Sequence, residues 1–154
     1  MSGAAGRLAA LGLTLPPVTA PVAAYVPAVR TGSYVYVSGQ LPVVDGKLPA
    51  TGKVGDAVST QDAAGLARTC ALNALAAAAE AAGGLDAIVR IVKVLGFVAS
   101  APGFNGQPQV VNGASELLIE VFGEAGRHAR SAVGVAELPL DAPVEVELIA
   151  EVRA

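Results

Sequence analysis

The chain has 154 residues, a length for one domain with a sizeable core, and none of its apolar runs approaches the ~18 residues that span a bilayer. Its net charge is −3, and its ten Lys and Arg are scattered without a basic run, so neither a membrane nor a nucleic acid is expected as a partner. Hydrophobic residues make up 53% against 15% charged, which is apolar enough to predict that partner subunits cover part of the surface.

Ala4 to Leu11 reads as a short helix closed by Gly12, and Pro16-Pro17 mark the loop that follows. Tyr25 to Arg30 reads as extended. Pro27 withholds a backbone donor there, which assigns this strand to a sheet edge or an irregular start. Thr31-Gly32 turns the chain into an alternating strand, Ser33 to Ser38, and Gly39-Gln40 interrupts it as a bulge. Val43 to Leu48 predicts a further hairpin around the turn signal Asp45-Gly46. The Gly-rich stretch Gly52 to Asp56 lacks the Lys-Ser/Thr ending of a phosphate-binding loop.

Ser59 followed by Asp62 opens a helix that runs to Ala82, where Gly83-Gly84 close it. The single cysteine, Cys70, falls inside this helix. It reads as core, and a lone thiol with no possible intramolecular disulfide suits a reducing, cytoplasmic setting. Ala87 to Ser100 is nearly unbroken Val, Ile, Leu and Phe, which predicts a central strand covered on both faces. Arg90 and Lys93 are expected at its start or at a subunit contact. After the loop Pro102 to Pro108, a stripe of Val110, Ala114, Leu117, Leu118 and Val121 predicts a second helix, ended by Gly123 and Gly126.

The order β-β-β-α-β-α-β-β predicts an α+β fold with two helices on one sheet. It forms one domain, 1–154, in which 1–20 is an N-terminal extension carrying the short helix. His128 has no Cys or His at ligand spacing, so no metal and no cofactor is expected, and the histidine reads as a structural residue beside the helix end.

The last quarter holds two charges that packing does not explain. Arg130 opens a strand directly after a helix, and from Val144 the chain alternates strictly, with Glu145 and Glu147 opposite Val144, Val146 and Leu148. Both charges can be read as ordinary solvated strand ends. Arg130 can equally present its planar fork to a carboxylate, which a lysine could not copy. The two strands, joined by the short turn Leu138 to Pro143, should run in opposite directions. Arg130 and Glu145 would then lie roughly 15–20 Å apart within one chain, at ~3.3 Å per residue. They can share a small ligand only if one subunit's arginine faces a neighbour's glutamate.

The run Arg130-x-Ala132-Val133-x-Val135-x-x-Leu138-Pro139, then Val144-Glu145-Val146-Glu147, resembles the signature of the RidA/YjgF family, also called endoribonuclease L-PSP. The resemblance extends over roughly Leu11 to Val152. It implies a homotrimer with a chorismate-mutase-like fold and one mostly antiparallel or mixed sheet. The implied activity is hydrolysis of reactive 2-enamino and 2-imino acids to 2-ketoacids and ammonia in clefts between subunits. By the same resemblance Arg130 is the carboxylate-binding arginine, and Glu145 positions or deprotonates the attacking water. Backbone groups at Ala132 add a hydrogen bond. Ser38, Gly39 and Gln40 match a motif that lines the ligand pocket, and Tyr25, thirteen residues before Ser38, falls where the pocket tyrosine is expected. From the residues alone, Tyr25 reads as well as an edge aromatic and Ser38 as a small residue at a bulge. The family includes branches without this reaction. The alternative is therefore a non-catalytic trimer that binds a small carboxylate or a protein partner. Endoribonuclease or translation inhibition ranks last, because the chain is acidic and lacks interleaved aromatics for stacking bases. The N-terminal extension, Gly126-Arg127-His128-Ala129-Arg130 in place of Pro-Ala-Arg, and about one extra residue between Asn112 and Arg130 mark a divergent branch.

Overall fold

The computed structural model describes residues 2–21 and 23–154. Along the chain lie α1 (Ala4–Ala10), β1 (Ala28–Thr31), β2 (Tyr34–Gln40), α2 (Thr60–Ala82), β3 (Ile88–Ala99), α3 (Gln107–Phe122), β4 (Ala129–Val135) and β5 (Val144–Val152). Local chemistry sets several boundaries. The Ser59 hydroxyl accepts the Asp62 amide at 3.1 Å and caps α2, which ends at Gly83 in the left-handed conformation, φ 88°. β1 begins after Pro27 and forms one edge of the sheet, as a missing donor requires. The pairing of β2 with β5 breaks between Val37 and Gln40, which is the bulge expected at Gly39-Gln40.

The five strands form one mixed sheet in the order β1-β2-β5-β3-β4. Only β3 and β4 are parallel, and α3 is the crossover that such a pair needs. The α+β class, with two helices on one face of a mixed sheet, therefore holds. One face of the sheet buries Val35, Val37, Ile91, Val94, Val98, Val144, Val146 and Leu148. Against it pack α2 and α3, and the alanines Ala67, Ala71, Ala74 and Ala78 let α2 approach closely. No helix among the described residues is long and apolar enough to cross a membrane.

Two expectations need correction. The hairpin at Val43 to Leu48 shrinks to one bridge, Val44 to Lys47, around Asp45 and Gly46 with positive φ. Pro42 and Pro49 flank it and remove the donors that would extend the ladder. β3 is not covered on both faces within one chain. β5 holds the centre of the sheet, and Leu95 and Phe97 of β3 stay half-buried on the open face. β4 and β5 do run in opposite directions, as the short turn between them implies, but they are not paired, because β3 lies between them and pairs with both. The strand-helix-strand order of β3, α3 and β4 explains this, since the crossover delivers β4 parallel to β3 at the outer edge.

Two glycines in helices give opposite expectations. A Cβ on Gly113 of α3 would fall on the Ala64 carbonyl oxygen of α2, so the two helices touch backbone to backbone there. A Cβ on Gly65 would meet nothing within 4 Å. Helix propensity favours Ala over Gly by about 1 kcal/mol, and overpacking costs about 1–3 kcal/mol, with a clash against backbone at the upper end. Urea unfolding should therefore show Gly65→Ala more stable than wild type and Gly113→Ala less stable by about 2 kcal/mol. Equal midpoints would contradict the close helix crossing.

Candidate functional site

The residues singled out in the sequence fall into two groups. The first gathers where β2 meets β5. Glu145 pairs with Phe97 on the open face of the sheet, and Gly39 lies so close that a Cβ there would sit 2.8 Å from the Glu145 carboxyl carbon. A residue larger than glycine would displace the carboxylate. The Ser38 hydroxyl donates to the Val26 carbonyl at 2.6 Å, and the Ser38 amide donates to that of Pro27 at 2.9 Å. These bonds tie the Tyr25-Val26 loop to the end of β2. Gln40 Nε2 donates to the Ser38 carbonyl at 3.0 Å, which holds the bulge in shape. Tyr25 is 56% exposed and Val26 52%, so this loop stands clear of the core with an aromatic ring on offer.

Partial burial, reinforced by the charge of Glu147, raises the Glu145 pKa above its ordinary value of 4.5. A group protonated more readily in the folded state contributes stability below about pH 4.5 and loses it as pH rises through the folded pKa. Glu145→Gln should therefore melt above wild type at pH 7, because the amide removes the cost of holding that charge half-buried. The difference should vanish on acidification below the ordinary value, which a melting series across pH would show.

The second group surrounds Arg130 at the outer edge strand. Arg130 pairs with Val94, a buried residue, so its side chain lies on the helix-bearing face and reaches α3. Its Nη1 donates to Asn112 Oδ1 at 2.8 Å and to Ser115 Oγ at 3.1 Å. Its Nη2 points at the Pro108 carbonyl at 3.4 Å. Among the described residues no carboxylate pairs with Arg130, although three other ion pairs are present. Ala132, also on this face, is half-buried against the core and pairs with Gly96. β4 lacks a partner on its outer side, so its alternate backbone groups point outward.

Within one chain the two groups do not meet. From the register, Arg130 and Glu145 are three residues apart along β3 and two strand spacings apart across it, about 14 Å between α-carbons. That is a little nearer than the turn between the two strands implied. The two side chains nevertheless leave opposite faces of the sheet, because Arg130 aligns with inward Val94 and Glu145 alternates with inward Val144 and Val146.

A family model described as YjgF/chorismate mutase-like, putative endoribonuclease, matches residues 5–152. The chain belongs to this YjgF family. Protein TCP17 of Trypanosoma cruzi is 46% identical over 155 residues, 97% of each chain. The crystal structure of Atu1372 from Agrobacterium tumefaciens, a protein with unknown function, shares 48% identity at a TM-score of 0.89, covering 98% of this chain and 94% of that one. Escherichia coli TdcF, solved with bound serine, is 31% identical at a TM-score of 0.64, covering 88% and 92%. The gap between those two scores sets this chain apart from the TdcF-like members of the YjgF family and agrees with a divergent branch.

Asn112, Ser115 and His128 were not assigned to the site from sequence. Asn112 and Ser115 lie on consecutive turns of α3, three residues apart, and this spacing was the available signal that both could reach one partner. Cys70 is fully buried in α2 with its thiol pKa pushed well up, by burial first and then by the Glu145 charge, which makes it an inert core residue.

Proposed function

We propose that this YjgF-family chain hydrolyses 2-imino and 2-enamino acids to 2-ketoacids and ammonia, in clefts formed between copies of a homotrimer. The observation that carries the reading is a pair of unpartnered, opposite charges. Among the described residues, Arg130 has no carboxylate partner and Glu145 no cation, and they emerge from opposite faces of the sheet, Arg130 from the edge strand β4 and Glu145 from the central strand β5. A neighbouring copy that lays its β2-β5 end against β4 would supply both to one ligand. The serine bound to TdcF lends support, since serine is a small molecule with a carboxylate next to a nitrogen-bearing carbon.

In the proposed reaction Arg130 holds the substrate carboxylate and fixes the imine carbon relative to a water. Glu145 takes a proton from that water as its oxygen bonds to the carbon, and the raised pKa suits a group that must hold the proton briefly. That proton passes to the substrate nitrogen to give a carbinolamine; Glu145 then takes the new hydroxyl proton and delivers it to the same nitrogen as the C–O double bond forms and the C–N bond breaks, so that ammonia leaves and a 2-ketoacid remains. An enamine first takes a proton on its β-carbon to become the imine. Cytoplasmic residence fits the single reduced thiol.

Bound serine shows binding and not turnover in TdcF, so a trimer that only binds small carboxylates is the second reading. The ribonuclease in the family description gains nothing from a net charge of −3. A coupled assay separates the first two. An amino-acid oxidase generates 2-iminopropanoate or 2-iminobutanoate in place, and imine loss is followed with wild type and Arg130→Ala. Acceleration by wild type alone is expected. No acceleration by folded wild type would leave binding alone.

A further inference from the structure

The lone histidine, His128, is linked to Arg130 through Ser115. His128 Nδ1 lies 2.6 Å from the Gly126 carbonyl oxygen, which can only accept, so Nδ1 carries a proton. In the neutral ring Nε2 is then a bare acceptor, and the Ser115 hydroxyl lies 2.9 Å from it and donates. The same Ser115 oxygen accepts from Arg130 Nη1 at 3.1 Å. The other Nη1 proton goes to Asn112 Oδ1. Both protons of Nη1 are thereby used. Nη2 makes one long contact, to Pro108, and Nε meets no acceptor among the described residues. A guanidinium held in this way has one bidentate edge left for a carboxylate, the side formed by Nε and Nη2.

We propose that His128, acting through Ser115, is a positioning residue that holds Arg130 by Nη1 and presents its Nε–Nη2 edge to the substrate carboxylate. The proposal rests on the reading of Arg130 as the carboxylate site. Each element packed around the ring contributes a defined group. The 123–126 turn gives the Gly126 carbonyl, α3 gives Ser115, and β4 gives Arg130. Nearby charges are engaged elsewhere, Glu124 with Arg127 and Glu120 with Arg68, and Glu116 is exposed to solvent. Burial, with the Arg130 charge acting in the same direction against the Gly126 carbonyl, lowers the His128 pKa and keeps the ring in the neutral form that the relay needs. The Gly-Arg-His-Ala-Arg run thus gains a purpose. His128 sits two residues before Arg130, on the same face, and its ring holds the serine that the arginine leans on.

The test measures the affinity of a stable ketoacid, 2-oxobutanoate, by calorimetry at pH 8. The proteins are wild type, Arg130→Ala, Ser115→Ala, His128→Phe and His128→Gln. Because the chain has one histidine, ¹⁵N NMR of its ring reads the tautomer directly. Loss of binding in Arg130→Ala is expected. Ser115→Ala and His128→Phe should weaken binding about tenfold, as one charge-assisted hydrogen bond is lost. His128→Gln should stay within about twofold of wild type, because its amide oxygen can accept where Nε2 did. The wild-type ring should be the Nδ1–H tautomer. No affinity in wild type, or equal affinity in Arg130→Ala, overturns the carboxylate reading and the proposal with it. Loss in Arg130→Ala with wild-type affinity in both Ser115→Ala and His128→Phe overturns the proposal alone. So does an Nε2–H tautomer, or a His128→Gln that fares no better than His128→Phe.

Discussion

Glu145→Gln is expected to lose imine hydrolysis by about 10²–10⁴-fold while keeping wild-type affinity for 2-oxobutanoate. The amide matches the carboxylate in size and cannot take a proton from water. Its position against Gly39 needs no rearrangement, because the contact is set by the glycine and the strand register. The same variant should be the more stable protein at neutral pH, since it removes a half-buried charge that lies beside Glu147. Lost turnover with gained stability is a combination that a damaged fold could not produce. Steady-state kinetics beside a thermal melt would show it. A variant that keeps its turnover would exclude Glu145 as the base.

Mixing two inactive proteins is expected to restore activity. Arg130→Ala subunits retain Glu145, and Glu145→Gln subunits retain Arg130. In a cyclic trimer each cleft would take one residue from each of two neighbours. A mixed trimer then holds one intact cleft of three, and three-quarters of randomly assembled trimers are mixed, so co-refolding at equal amounts should give about a quarter of wild-type activity. Sites contained in one chain would give none. The opposite faces on which the two side chains emerge make the first outcome the expected one. The open face of the sheet, with Tyr36 48% and Val133 44% exposed, offers apolar area for such an assembly.

What the sequence reveals of this fold follows local physics, and what it conceals follows long-range pairing. The capped helix Thr60–Ala82, the bulge after Val37 and the alternating strand Val144–Val152 were all legible, because each depends on a period or a cap within a few residues. The Val43–Leu48 hairpin carried a valid turn signal, yet the flanking prolines decided the pairing beyond it.

The sequence by itself determined the α+β class, the family, and the identity of Arg130 and Glu145 as charges that packing does not require. Periodicity and a spaced motif suffice for these. Only the tertiary structure decided that β3 separates β4 from β5, that the two charges leave opposite faces, and that His128 reaches Arg130 through Ser115. These depend on which strand pairs with which and on how α3 crosses the sheet. Sequence distance cannot encode them, because parallel pairing across a helix and antiparallel pairing across a turn leave the same alternation in the strands themselves.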